Sequence, residues 1–526
     1  MAPIASDTLA SMSLARRDLL IQSGTLISSL AALRVPLFAS PRFAKDPFTL
    51  GVASGDPTAS GIVLWTRLAP DPLNADPLHG GGMDQAAVEV TWRLSEDEKL
   101  SKVVKKGKTV ATPNLGHSVH VEVEGLRPDR WYWYQFQAGN YTSPIGRTRT
   151  MPAAGALAAK LNFAFASCQH WETGWFNAYE HMAQEDLHLV VHLGDYIYEG
   201  PERTSGVRKH TGPEITTLTH YRNRHALYKT DAHLQRVHRL FPWIVTWDDH
   251  EVDNNYAGDV AEDKQTRAEL LERRANAYQA YYENMPLRVS SLPKGSAMQL
   301  YRALDFGSLA KFTVLDTRQY RTDQPCGDGN KPACAEVFDP QATILGATQR
   351  EWLFQTLDRS PARWNVIAQQ VLMARLDVAM RAEETFSMDQ WSGYEADRRK
   401  VLDFLGARKP TNPIVITGDI HTNWVVDLKA DWKDEKSAVL GTEFVGTSIT
   451  SGGDGSDERP NTAAQYQRNP HLKWFNARRG YVRCELTPAH YRADYRIVPF
   501  VTKPGAPVET RTSWTVENGR LGVQKT

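Results

Sequence analysis

Leu189-Val190-Val191-His192-Leu193-Gly194-Asp195-Tyr196-Ile197-Tyr198 is the stretch on which the reading of this chain turns. A short, almost unbroken apolar run stops abruptly at a glycine, an aspartate and two tyrosines. Runs of this length without polar alternation belong to strands covered on both faces, as in a parallel sheet between layers. His192, inside the run, reads as a hydrogen-bonded core histidine. Runs of the same kind occur at Phe163 to Ala166, Trp243 to Trp247, Phe312 to Leu315, Val366 to Ala368, Ile414 to Thr417 and Phe444 to Gly446. Helical patterns lie between them; in one, Ala268, Leu271, Ala275, Tyr278 and Tyr282 recur at spacings of three and four. Alternating strands and helices predict a layered α/β domain over residues 152–500.

The residues that end these runs carry the chemistry. The first run ends in Ser167-Cys168-Gln169, the second in Gly194-Asp195 with Tyr198, the third in Asp248-Asp249-His250-Glu251, and a fourth in Gly418-Asp419-Ile420-His421. Ligands of open α/β sheets bind outside the carboxyl ends of the strands, so these side chains are predicted to share one volume. Crowded carboxylates are costly unless cations neutralise them, which predicts a multinuclear metal site. Asp195 has two oxygens and can bridge two ions. A Tyr198 phenolate requires a strong Lewis acid such as Fe(III), and a Cys168 thiolate also suits iron. Asp248, Asp249 and Asp419 are hard oxygen donors suited to Ca²⁺, Mg²⁺ or Mn²⁺.

G-D-x-x-Y, D-H-E after an apolar run, and G-D-x-H resemble the motif series of the calcineurin-like and purple-acid-phosphatase-like metallophosphoesterases. The full set, with the opening Phe48-Thr49-Leu50-Gly51-Val52-Ala53-Ser54-Gly55-Asp56-Pro57 and Leu64-Trp65-Thr66-Arg67-Leu68, is similar to the PhoD family of alkaline phosphatase/phosphodiesterases over about residues 46 to 500. The resemblance implies a metallophosphatase-like layered α/β-sandwich preceded by a small all-β sandwich. It also implies hydrolysis of phosphate monoesters and diesters by metal-activated water, with Fe(3+) and Ca(2+) as cofactors. Iron would take Cys168, Asp195, Tyr198 and His421. Calcium would share Asp195 and take Asp249 or Asp248, Asn255 and Asp419. Side chains alternate along a strand, so one of the two adjacent aspartates is expected to face the metal; analogy with purple acid phosphatases favours Asp249. Asp195 and His250 are the candidate catalytic residues, and His250 and Glu251 are also candidates for orienting Asp249. Gln369 or Gln370 stands where related enzymes supply a further histidine ligand. Arg318 and Arg321 are read either as phosphate clamps or as structural ion pairs. The alternative from another class is an exported carbohydrate- or surface-binding protein with structural calcium; thiolate and phenolate ligands speak against it.

The rest of the chain frames this site. Residues 46–151 read as all-β, and Leu126-Arg127-Pro128 leading into Trp131-Tyr132-Trp133-Tyr134 is similar to the corner of a fibronectin type III or immunoglobulin-like sandwich. Arg16-Arg17 before a weakly apolar run resembles a twin-arginine export signal, assigned to residues 1–45, so a periplasmic or extracellular site and a partnership with that export machinery are expected. Elsewhere no apolar run is long enough to span a bilayer, so no transmembrane segment is expected in the mature protein. Sixty-one basic residues balance 61 acidic ones, which speaks against a nucleic-acid partner. Export permits a disulfide, and Cys326 and Cys334 bracket a Gly/Pro/Asn-rich loop as a hairpin-like clip. Residues 501–526 read as a polar, irregular tail.

Overall fold

The computed structural model describes residues 42–379 and 382–526. The expected export signal therefore lies almost wholly outside the described residues.

Each apolar run forms a strand. Three of them, β1 (Leu161–Ala166), β2 (Leu189–His192) and β3 (Pro242–Val245), pair in parallel at the centre of a ten-stranded sheet. The other four, β4 (Ala310–Val314), β5 (Trp364–Ala368), β6 (Pro413–Thr417) and β7 (Val439–Val445), pair in parallel within a seven-stranded sheet. Strand alternation shows why both faces are apolar. Phe163, Phe165, Leu189 and Val191 point inward and meet Phe312, Val366, Ile414 and Phe444 of the other sheet. Ala164, Ala166, Val190 and Val245 point outward to a helical layer, and Ile367, Val415 and Val445 do the same on the far side. At about 1.5–3 kcal/mol for each large side chain buried, this double packing dominates the fold's stability.

The helix Arg267–Asn284 forms where helical spacing was expected, and Thr266 and Glu269 cap its start reciprocally, which contributes about 1 kcal/mol. Its buried stripe is the expected one only in its second half, where Tyr278 and Tyr282 are buried; Leu271 and Ala275 are half-buried. Ala268 is exposed, whereas Leu270, Arg273, Arg274, Ala277 and Tyr281 are buried. Arg273 can be buried because it meets Asp253, Glu214 and Tyr221, partners that hydrophobic spacing does not reveal.

The N-terminal strands divide between two sheets. Val52–Gly55, Ile62–Arg67 and Ser118–Val123 extend the large sheet beyond β3. Val88–Ser95, Val103–Ala111, Trp131–Ala138 and two short strands form a separate five-stranded sheet. Ile62, Leu64 and Val121 share one core with Val90, Leu94, Tyr134 and Phe136, so the small sandwich borrows the edge of the large sheet as a layer. The Arg127 amide donates to Tyr132 Oη at 3.0 Å, the hydrogen bond of a tyrosine corner. The C-terminal stretch is not loose: Glu509–Glu517 pairs with His490–Val498 at the opposite end of the large sheet. Cys326 and Cys334 are disulfide-bonded, and Cys168 and Cys484 are free and buried. No helix among the described residues is long and apolar enough to cross a membrane.

Candidate metal centre

The segments that leave β1, β2, β3 and β6 converge. Cys168, Asp195 and His421 offer ligand atoms within 4.8 Å of one another. Tyr198 Oη joins them, donating to Asp195 Oδ2 at 2.7 Å and lying 3.3 Å from His421 Nε2. Asp248, Asp249 and Asp419 form a second such group, and Asp195, Asp249 and His250 a third that links the other two. Asn255 adjoins the second group: its backbone N–H donates to Asp249 Oδ2 at 2.8 Å.

The backbone makes this convergence possible. Cys168, Asp195, Asn255, Asp419 and His421 all have left-handed φ angles, between 49° and 62°. Such conformations cost roughly 1–3 kcal/mol each at non-glycine residues and persist where the surroundings over-determine them. Gly194 has φ 109°, and a Cβ there would come within 2.5 Å of Asp248. The glycine before Asp195 thus lets the ends of β2 and β3 touch.

Asp248 and Asp249 both reach the group containing Asp419, although strand alternation predicted that one would turn away. The strand stops at Val245, and by Asp249 the chain has entered a turn in which the amides of Val252 and Asp253 donate to the Asp249 carbonyl. The period-two rule has lapsed by then. Glu251 fastens this turn to its neighbour: its Oε2 accepts from the amides of Asp195 (3.1 Å) and Asp248 (2.8 Å). Burial, then the nearby Asp195, pushes Glu251 up to about 8.

Charge in the site is unevenly balanced. Arg318 is fully buried, with Nε 2.5 Å from Asp248, Nη1 2.8 Å from Asp389, and Nη2 3.5 and 3.3 Å from Asp249 and Asp419. Of the two sequence readings, the structural ion pair is the one observed. Burial holds Asp248 above the ordinary carboxylate range despite Arg318, and it holds Asp419 up at about 6. Burial also opposes ionisation of Asp249, but Arg318 and His250 outweigh it and bring that carboxyl below the usual range. One arginine thus serves four carboxylates. Asp195 Oδ1, Asp248 Oδ2 and Asp249 Oδ1 are buried without a hydrogen-bond partner. Buried carboxylate oxygens that accept no hydrogen bond and converge on one volume are what a cation site requires, so the donor set fits bound cations.

Several contributors escaped the sequence reading. Glu199 Oε2 holds His250 Nδ1, Gln390 Nε2 donates to Asp419 Oδ2 at 2.6 Å, and Ser451 Oγ donates to Tyr198 Oη at 2.6 Å. Glu199 lies within reading distance of the Gly-Asp motif, but nothing in sequence pairs it with residue 250. Burial favours a neutral ring at His250, yet Glu199, Asp249 and Asp195 prevail and hold its pKa well above the usual value. Burial, then Asp195, raises the Cys168 thiol and the Tyr198 phenol. Gln369 and Gln370 bond to Thr417 and Thr317, within the sheet layer.

Residues 163–495 match the family model described as PhoD-like phosphatase, and residues 33–152 match that of the PhoD-like phosphatase N-terminal domain. The chain is 52% identical over 506 residues to alkaline phosphatase D of Bacillus subtilis (strain 168), covering 95% of this chain and 86% of the relative. It superposes on a solved structure of PhoD with a TM-score of 0.90 at 52% identity, covering 92% of this chain and 93% of the other.

Proposed function

The chain belongs to the PhoD-like phosphatase family, and on that premise we propose that it is an exported enzyme hydrolysing phosphate monoesters and diesters with iron and calcium at the strand ends. It is a phosphoester hydrolase, and the family implies metal dependence. Iron is assigned to Cys168, Asp195, Tyr198 and His421, because thiolate and phenolate donors suit a ferric ion. Calcium is assigned to Asp195, Asp249 with Asp248, Asn255 and Asp419, an all-oxygen set. The observation that carries the reading is this clustering together with its three buried carboxylate oxygens that accept no hydrogen bond.

Bound there, the cations supply Lewis acidity that stabilises charge on a phosphoryl group and makes water a competent nucleophile. Asp195 belongs to both groups of ligands, so it is the residue that joins them. His250 is held at Nδ1 by Glu199, leaving Nε2 to give a proton to the leaving oxygen; the side chain is 20% exposed. Arg318 contacts Asp248, Asp249, Asp389 and Asp419 without claiming all their oxygens; it favours the charged form of Asp249 and Asp389, whereas burial still opposes ionisation of Asp248 and Asp419 until a cation binds. No serine or threonine nucleophile is required, so oxygen passes directly from water to phosphorus.

The export assignment rests on Arg16-Arg17 and the following apolar run, and the Cys326–Cys334 disulfide agrees with an oxidising compartment. Sandwich domain 46–151, catalytic domain 152–500 and segment 501–526 remain the proposed division of the chain. Elemental analysis of the purified protein, combined with assays on a monoester and a diester, tests the reading. Iron with calcium and turnover of both substrates is the expected result; full activity in an iron-free preparation overturns the iron assignment.

A further inference from the structure

We infer that Asp328 is a positioning residue for the calcium ligand Asn255, and that the Cys326–Cys334 bridge holds it in place. The inference rests on the assignment of Asn255 made above.

Asn255 Nδ2 donates to Asp328 Oδ2 at 3.1 Å. An ionised carboxylate only accepts hydrogen bonds, so it discriminates between the two ends of an amide: it takes the NH₂ and refuses the carbonyl. Asn255 Oδ1, the one atom of this side chain able to ligate a hard cation, is thereby turned away from Asp328 and left without a protein partner among the described residues. The backbone of Asn255 is fixed independently, by Asp249 Oδ2 on its N–H and by Gln324 Nε2, which donates to its carbonyl at 2.6 Å. What Asp328 adds is the orientation of the amide. Its other oxygen is buried and makes no hydrogen bond, so Asn255 is the sole hydrogen-bond partner of this carboxylate among the described residues.

The position of Asp328 is demanding. Cys326, Gly327, Asp328 and Gly329 all have positive φ, and Asp328 combines φ 58° with ψ −177°, a region otherwise nearly confined to glycine. A free loop would not rest there. The disulfide closes it across a separation of eight residues, and Asn330–Lys331 pairs with Phe386–Ser387 just beyond. The Met388 amide also donates to the Gly329 carbonyl, so the clip is fastened to the segment that carries Asp389, a partner of Arg318.

The test is calcium binding rather than turnover. Full-length, iron-loaded protein is dialysed against graded calcium chloride, and calcium and iron per chain are measured for wild type, Asn255→Ala, Asp328→Asn and the double variant Cys326→Ser/Cys334→Ser. Asp328→Asn is isosteric, but its amide can donate to Asn255 Oδ1 and so removes the discrimination. The serine pair opens the loop without a reductant that would attack ferric iron. The expected result is a rise of about tenfold in half-saturating calcium for Asp328→Asn and for the serine pair, with iron unchanged. Wild-type calcium binding by Asp328→Asn, alongside weakened binding by Asn255→Ala, overturns this inference and leaves the ligand assignment standing. Wild-type binding by Asn255→Ala overturns the assignment itself. Parallel loss of iron and calcium in Asp328→Asn marks a merely structural role and also overturns it, while a serine pair indistinguishable from wild type refutes the part given to the bridge.

Discussion

Glu199 Oε2 lies 2.7 Å from His250 Nδ1, so one ring nitrogen is tied to a buried carboxylate and the other is free for chemistry. The same glutamate accepts from the Asn254 amide through Oε1, which anchors the turn that follows the Asp-Asp-His motif. Loss of His250 as proton donor is expected to lower kcat by about 10²- to 10⁴-fold on alkyl phosphates and far less on nitrophenyl esters, whose leaving group needs no proton. Equal losses on both substrates for His250→Ala would remove that role. Glu199 is the largest of the influences that raise the His250 pKa. A raised pKa keeps the proton to higher pH, so Glu199→Gln should move the alkaline limb of kcat/KM to lower pH. An unshifted limb counts against the pairing.

Asp195 stands in two of the three ligand groups. Asp195→Asn retains the shape but loses charge and one ligating oxygen. Activity should fall at least about 10³-fold, with iron and calcium both depleted in elemental analysis. Retention of both metals would refute its bridging position.

Burial and Asp195 hold the Tyr198 phenol protonated in the metal-free chain, so a phenolate forms there only against a strong Lewis acid. The iron-loaded protein is expected to be coloured, and Tyr198→Phe should lose the phenolate part of its visible absorption while Cys168→Ser alters the rest. A visible spectrum unchanged by Tyr198→Phe excludes the ligand.

Arg318 offsets four buried carboxylates. Removing one partner of a buried ion pair costs about 3–5 kcal/mol because a charge is left uncompensated. Arg318→Met should therefore unfold at markedly lower temperature in the presence of chelator, and added calcium should restore much of the difference. A melting temperature insensitive to both the substitution and calcium would contradict this balance.

Lys229 is buried, with Nζ 3.2 Å from Tyr196 Oη and over the Trp65 ring. Burial, and then Arg67, lowers it from 10.5 to about 7. The unfolded chain holds this proton up to about pH 10 and the folded chain releases it near 7, so stability from this group rises with pH between those values. Lys229→Met should stabilise the protein at pH 6, with an advantage that shrinks towards pH 10. Denaturant midpoints across that range give the comparison, and a constant difference would show that the lysine does not change charge there.

The strands were legible because each is a short apolar run that both layers bury, and the motifs at their ends were legible because Gly-Asp-x-x-Tyr and Gly-Asp-x-His are local. The buried stripe of Arg267–Asn284 was legible at Tyr278 and Tyr282 but not at Arg273, which is made tolerable by Asp253 and Glu214 from other segments. That Asp248 and Asp249 both reach Asp419 was not legible, because the point at which β3 stops depends on contacts with Glu251 and Gly194 from outside the strand.

Sequence alone therefore determined the central parallel strands, which side chains are competent to hold cations, and which family the chain resembles, since these depend on residue type and near-neighbour spacing. Tertiary structure alone decided that Arg318 lies among four carboxylates, that Glu199 grips His250, and that a disulfide-bound loop delivers Asp328 to Asn255. Those pairs are separated by 51 to 73 positions or more, and a hydrogen bond or an ion pair acts over a few ångströms of space, a distance that no spacing along the chain encodes.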